Sequence, residues 1–347
     1  MTRYAAATLT GFAAALFEAA GMEPAKAAVV AETLVEGDLL GHDTHGLALL
    51  PQYLDALAGG DMLGHGDPEI LAGTPVAETW DGRKLPGPWL VHRAAALASD
   101  RAATFGLAAV AIGRCHHIGC LAAYLPRVVE RGQMPLIFSS DPATASVAPW
   151  GGTRRLLTPN PIAAGWPSPA GPVLLDVSMS IATNAMTARR RAEGSRFPEP
   201  ALLDAEGRPT DDPEAFFTDG SLLPLGGMAA GHKGYALGLL VEALTSGLAG
   251  HGRAAAPGGW GASVLVLVLD PARFGGGAAF LREAGWMADA VHANPPIAGQ
   301  PPPRLPGERA WARRAEALAN GVALHPSIPP QLEALARRAG LAAPAPS

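Results

Sequence analysis

The chain has 347 residues, 48% of them hydrophobic and 16% charged, and 26 basic against 31 acidic residues leave a formal net charge of −5. That length and apolar share suffice for a large core and exclude a disordered or fibrous chain, while scattered Lys and Arg give no basic stripe for a phosphate backbone, so no nucleic-acid partner is expected. Two cysteines, Cys115 and Cys120, argue against an extracellular disulfide framework; with an Ala-rich N-terminus broken by Glu18, Glu23 and Lys26, they lead to the expectation of a cytoplasmic chain without a membrane partner.

Residues 8 to about 58 carry helical periodicity, with Thr8 placed to cap a first helix and GMEPAKAAVVAETLVEGDLLG forming a second. PVAETWDG (75–82) reads as a short strand and turn. A helix near 89–104 follows, then GLAAVAIG as a buried strand, a helix over 119–132 and MPLIFSS as another strand, so the pattern is α/β alternation. The Pro- and Gly-dense middle reads as loops and extended segments ending in the strand PVLLDVS. A helix at about 233–250 precedes ASVLVLVLD, whose continuous Val and Leu mark a fully buried strand. Residues 251–261 read as a mobile Gly/Pro segment, 293–306 as extended chain, 308–320 as helix and LAAPAPS as a frayed tail.

Three polar stretches invite chemistry. In GHDTHGLALL (41–50), Asp43 or Thr44 can cap the following helix, but a cap does not explain His42 and His45. An imidazole that titrates near neutrality suits an acid/base role, and the three-residue spacing also permits joint metal ligation with Asp38 or Asp43, although no HExxH or HxH pattern is present. GRCHHIGC (113–120) follows a core strand, where loops of α/β proteins carry function; His116 and His117 there are either surface histidines or site residues, and two cysteines only five apart make a poor zinc frame around them. GGMAAGHKGYAL (226–237) runs a Gly-rich turn into a helix, where free N–H groups and Lys233 suit a phosphate. It is not a Walker loop, because Gly234 follows Lys233, and no GxGxxG follows a first strand.

In order and spacing these stretches resemble the malate/L-lactate dehydrogenase family of NAD(P)-dependent oxidoreductases, which lacks a Rossmann domain. DTHGLALLPQYLDALAGGDM is similar to the family's DSHGVxRLPxY, CHHIGCLAAY to NHFGxAGYY, and APWGGTRRLLTPNPIAAGWP to APWGGxxxxLGTNPxAxAxP. HKGYALGLLVEAL is similar to HKGYGLALxVExL, and LPGERAWARR to a C-terminal PGE segment. The resemblance implies a mixed α/β (α+β) fold with a helical N-terminal region and a non-Rossmann nicotinamide-binding domain. It also implies a discontinuous substrate and dimerisation domain, 1–115 with 250–347, and a cofactor domain at 116–249.

The same resemblance implies NAD(H) or NADP(H) as cofactor, a small 2-hydroxy or 2-oxo acid, cyclic imine or related carbonyl compound as substrate, and a homodimer with its active site at the subunit interface; the absence of metal-ligand motifs adds the expectation of no metal. By position, His45 and His117 become the catalytic histidines, and Thr44, Leu49, Tyr53 and His116 the substrate residues. The cofactor would lie against Asn160, Pro161, Asp176, Val177, Ser178, Met179, Ser180, Ile181, Ala182, Thr183, His232, Lys233, Gly234, Pro306, Gly307 and Glu308. This sequence departs from the pattern at Leu49, where the family's carboxylate-gripping arginine stands, at His116 for asparagine, and at Asn184 and Met186, where positive residues are usual. Arg154 or Arg155 is the expected substitute charge. Two alternatives stay open: a metal-dependent hydrolase or lyase using His42, His45, His116 and His117, and a catalytically impaired cofactor-binding relative.

Overall fold

The computed structural model describes residues 2–347. Its centre is a seven-stranded sheet, built on the strand with the most continuous apolar sequence. The strands are β2 (Glu69–Gly73), β3 (Ala77–Asp81), β4 (Leu107–Cys115), β5 (Met134–Ser140), β6 (Ile162–Trp166), β7 (Val173–Val177) and β11 (Ala262–Leu269), in the spatial order β2-β3-β4-β11-β5-β6-β7. Only β3 and β4 run parallel; β11 pairs antiparallel with β4 on one side and β5 on the other.

Both faces of the sheet are covered, which explains why β4 and β11 lack polar alternation. Val110 and Ile112 of β4, with Val264, Val266 and Val268 of β11, pack under α4 (Gly87–Phe105), while Ala111 and Leu265 point the other way to Met179 and to Val241 of α7 (Gly227–Glu242). The chain opens with a short strand β1 (Arg3–Tyr4), which pairs with β12 (Val322–Ala323) near the C-terminus. Around that pairing, α1 (Ala6–Ala19), α2 (Pro24–Leu40) and α3 (Leu50–Gly59) share one core with α9 (Glu308–Asn320) and α10 (Ile328–Ala339). The remaining elements are α5 (Pro126–Val129), α6 (Asn184–Ala192), α8 (Gly277–His292) and a small sheet of β8 (Leu202–Leu203), β9 (Pro209–Thr210) and β10 (Ser221–Leu222). Among the described residues, no helix is long and apolar enough to cross a membrane.

Several expectations change. Thr8 does not cap α1, which starts at Ala6 after an extended Ala5 and has no side-chain cap. The helix expected over 119–132 is a 3-10 turn at Leu121–Tyr124 followed by the single turn of α5, because Pro126 lacks the N–H that would continue the first turn. The C-terminal tail forms no helix or strand, yet Ser347 N donates to Arg3 O at 2.9 Å. The central sheet draws β2, β3, β4 and β11 from 1–115 and 250–347 and β5, β6 and β7 from 116–249, and the division into a substrate and a cofactor domain stays a proposal.

The topology gathers loops at one edge of the sheet. The C-terminal ends of β4, β5 and β7 and the N-terminal ends of β6 and β11 all contribute to a cleft of about 720 Å³ closed on its other side by residues 42–52 and α6.

Candidate active site

His45 is fixed by the way α2 stops. Gly41 leaves the helix at φ 90°, the backbone turns through His42, and the His45 N–H donates to His42 O at 2.8 Å. Asp38, one turn before the end, accepts the Leu47 N–H on Oδ2 at 2.7 Å. Gly46 lets that carboxylate approach, since a Cβ there would lie 2.4 Å from it. Neither Asp43 nor Thr44 caps a helix: residues Leu47–Leu49 form a 3-10 turn after Gly46, and α3 starts only at Leu50. Thr44 Oγ1 instead lies 2.9 Å from His45 Nδ1.

His117 is held more tightly. It follows β4, and Gly119 at φ 66° curls the chain so that its N–H donates to His117 Nδ1 at 3.3 Å. The Tyr53 hydroxyl lies 2.9 Å from the same Nδ1 and 3.1 Å from His117 O. Trp260 stacks on the His117 ring at 4.3 Å between centroids, and the His45 ring lies 6.0 Å away. Burial pushes the imidazolium form of His45 down to about pH 4 and that of His117 well below its usual range, with His45 and His116 adding to the effect on His117. Both rings are therefore neutral at physiological pH.

The other residues singled out from sequence divide into those in the cleft and those behind it. Thr44, Leu49, Asn160, Pro161, Asp176, Ser178 and Thr183 line the cleft with both histidines. Tyr53 does not line it; it is 0% exposed and reaches the site only through His117. His116 faces away, 1% exposed with neither ring nitrogen partnered, and borders a second cavity of about 720 Å³ beyond Trp260 with Arg83, Lys84, Arg114 and His251. Within the stretch after Asp176, Met179, Ser180 and Ala182 are buried and Val177 and Ile181 do not line the cleft.

His232, Lys233 and Gly234 also lie outside the cleft, on a helix that breaks at Ala230 (φ −138°). Gly234 has a packing role, since a Cβ would meet Leu225 O at 2.4 Å. Gly307 is similar: a Cβ there would lie 2.8 Å from Leu174, Pro306 O accepts the Leu174 N–H at 3.1 Å, and Glu308 meets His292 at 2.5 Å.

A nicotinamide group fits the cleft by donor chemistry. Hydroxyls of Ser139, Ser140, Thr158, Ser178 and Thr183 surround the apolar Ala48, Leu49 and Ile118, a combination suited to a flat ring carrying an amide and to ribose. Asn160 supports that wall: at φ 43°, it donates to Gly238 O at 3.0 Å and Glu242 Oε1 at 3.1 Å and accepts from Thr158 at 2.7 Å. Asp176 is oriented by the Ala122 N–H at 2.9 Å, and burial raises its carboxyl above the usual range despite the opposing His42.

The four histidines of the metal-enzyme alternative do not converge on one point. Among the described residues, His42, Cys120 and Asp176 instead bring one donor atom each within 4.8 Å of one another. Two contributors were not legible in the sequence. Trp260 sits in a segment read only as a mobile loop. Arg189 lies on α6 and lines the cleft, whereas Arg154 does not and Arg155 is tied to Gly220 O at 2.6 Å and to Phe216 O. A basic run, Arg189 to Arg191, was the available signal, but nothing in spacing says which of the three turns inward.

Comparison with known proteins is consistent over nearly the whole chain. The sequence profile described as malate/L-lactate dehydrogenase matches residues 4–333. The chain is 32% identical to a Delta(1)-pyrroline-2-carboxylate reductase of Ancylobacter novellus, covering 92% of this chain and 93% of that protein. It is 34% identical to a (2R)-3-sulfolactate dehydrogenase (NADP(+)) of Chromohalobacter salexigens, over 88% and 89% of the two chains. Among solved structures, malate dehydrogenase from Pyrococcus horikoshii superposes with a TM-score of 0.89 at 25% identity, covering 98% of this chain and 96% of the other.

Proposed function

The chain belongs to the malate/L-lactate dehydrogenase family and is an oxidoreductase; from that premise we propose that it moves a hydride between NAD(H) or NADP(H) and a small 2-hydroxy acid or cyclic imine acid in the His45–His117 cleft. The observation that carries this reading is a pair of neutral imidazoles, 6.0 Å apart, with different wiring.

The wiring supports distinct roles for the two rings. His117 Nδ1 faces the Gly119 N–H, which can only donate, so Nδ1 accepts and the ring proton resides on Nε2. His117 is thus a neutral donor able to hold the substrate oxygen and to stabilise charge that develops there. His45 Nδ1 faces a hydroxyl that can either donate or accept. When Nδ1 donates to Thr44, Nε2 is bare and takes the hydroxyl proton of a 2-hydroxy acid; in the reverse direction it returns that proton to the carbonyl oxygen. A nicotinamide cofactor, when bound, supplies or accepts the hydride. In oxidation the carbinol C–H bond breaks with its electron pair, the O–H proton passes to His45, and C=O forms. The apolar walls of Leu49 and Ile118 exclude water from that step.

We further read the enzyme as a cytoplasmic homodimer. Apolar residues exposed on α8, among them Trp286 at 66% and Met287 at 54%, support an interface there, and two free buried thiols suit a reducing compartment. The test is titration of NADH and NADPH by fluorescence, followed by turnover on a panel of 2-oxo acids and cyclic imine acids. Binding of at least one cofactor with reduction of at least one acid is expected; no binding of either at millimolar cofactor sinks the reading.

A further inference from the structure

The substrates named for the relatives are acids that carry a full negative charge at neutral pH, and a buried or half-buried carboxylate requires a cation or several donors. Lysine does not occur among the residues lining the cleft, and arginine occurs once, as Arg189. Its guanidinium is about one-quarter exposed, with a side-chain accessibility of 23%. It reaches across from α6 to the loop that carries His45, where Nη1 donates to Asp43 Oδ1 at 2.7 Å and Nη2 to Asp43 O at 3.2 Å. Of the five guanidinium N–H donors, those two contacts leave three without a partner among the described residues.

We propose that Arg189 is the acid-binding residue of this enzyme: its uncommitted guanidinium edge grips the carboxylate of the substrate while Asp43 holds the side chain in place. The assignment rests on the hydride-transfer reading above. It specifies the substrate class as 2-hydroxy and 2-oxo acids or imine acids whose carboxylate points to α6, with the reacting carbon left between His45 and His117. Leu49 faces the same cleft, 7% exposed, and has no polar atom to offer the acid. The charge has therefore been moved from the His45 loop to the opposite wall. Asp43 acts as a positioning residue, because it takes up one edge of the fork and leaves the other directed inward.

The experiment compares Arg189→Met, Arg189→Lys and the double variant Leu49→Arg/Arg189→Met in the full-length enzyme. The probes are pyruvate, oxaloacetate and pyrroline-2-carboxylate, each beside its neutral methyl ester. Arg189→Met is expected to raise KM for the acid by roughly 10–100-fold, the loss of a charge-assisted pair. The ester and the cofactor Kd should stay within a few-fold. Arg189→Lys, which keeps the charge without the fork, falls between, and Leu49→Arg in the Arg189→Met background recovers a good part of the loss. An equal loss for acid and ester overturns the assignment, since it means that Arg189 only latches α6 to the loop; so does an unchanged KM for the acid. If Arg189→Met does not fold, Arg189→Lys with an unchanged acid KM overturns it equally. Failure of the unmodified enzyme to reduce any acid while binding cofactor overturns the parent reading first and this assignment with it, and is distinguished by occurring before any substitution.

Discussion

His116 and His117 are neighbours in sequence, both lie against Tyr53 and Trp260, and burial pushes both away from the charged form, yet they end in different chemical situations. His117 has Nδ1 fixed by a backbone N–H and faced by a phenol, and it looks across 6.0 Å to His45. His116 has no partner at either nitrogen and borders the separate cavity beyond Trp260. The difference teaches that burial and residue type do not define this site. What defines it is which nitrogen is already occupied, because that decides whether the other can hold or move a proton.

Substitutions sort along that contrast. The largest effect is expected at His45: His45→Gln removes the proposed proton-transfer group and should lower kcat by about 10²–10⁴-fold with cofactor binding retained. Steady-state kinetics with fluorescence titration checks this, and near-normal kcat would move the role elsewhere. Tyr53→Phe leaves His117 with the Gly119 N–H alone and should lower kcat on the order of 10-fold, more than KM, because the ring is less firmly oriented. An effect confined to stability would make Tyr53 a core residue only. At the small end, His116→Leu removes a buried imidazole that makes no hydrogen bond and should leave kcat within a few-fold, with stability unchanged or higher. A loss as large as that at His45 would erase the contrast.

The acid limb of stability sharpens the same point, since all these rings are buried neutral. Burial holds His45, His116 and His92 of α4 down to about 4 each and lowers His117 well below its ordinary value of 6.5. Between about 6.5 and 4 the unfolded chain binds more protons, so stability is fully present above 6.5 and is lost as pH falls through that window. Asp38, pushed up to about 7 by burial, has the opposite sign, as do Asp141 and Asp176, whose carboxyls burial also raises, and they offset part of the loss. The buried imidazoles outnumber these carboxyls, so a net fall in stability between pH 7.5 and 5.5 is expected. Urea titrations at pH 7.5 and 5.5 measure it, and equal stability at the two values would mean that the rings are solvated or paired in solution.

Much of the framework is legible in the sequence, for a physical reason. β4, β5, β7 and β11 are buried on both faces or end at the cleft, and the apolar runs GLAAVAIG, MPLIFSS, PVLLDVS and ASVLVLVLD have no other use. The hairpin strand β2 was not legible, because all five of its residues are exposed and carry no burial pattern. Nor was β6, IAAGW, embedded in a Pro/Gly-rich stretch where a Cβ on Gly165 would lie 2.8 Å from Val129. In the candidate site, His45 and His117 stand out because their flanking glycines and strand ends are local, and the family resemblance supplies their proposed roles. Arg189 and Trp260 are not, since each is brought to the histidines by a contact more than 140 residues away in the chain, 146 from Arg189 to Asp43 and 143 from Trp260 to His117. The GGMAAGHKGYAL helix shows the converse: a phosphate-like pattern whose Gly231 and Gly234 are explained by close approach to Trp150 and Leu225.

The claim that carries the rest is that His45 and His117 are neutral at physiological pH, with the His117 proton on Nε2. Nitrogen-15 NMR of the histidine rings at pH 7, assigned with the His45→Gln and His117→Gln variants, tests it directly. Two neutral rings are expected, with His117 as the Nε2–H tautomer, no imidazolium signal from His45 until the pH falls toward 4 and none from His117 near neutrality. An imidazolium at either position at pH 7, or His117 protonated on Nδ1, contradicts it.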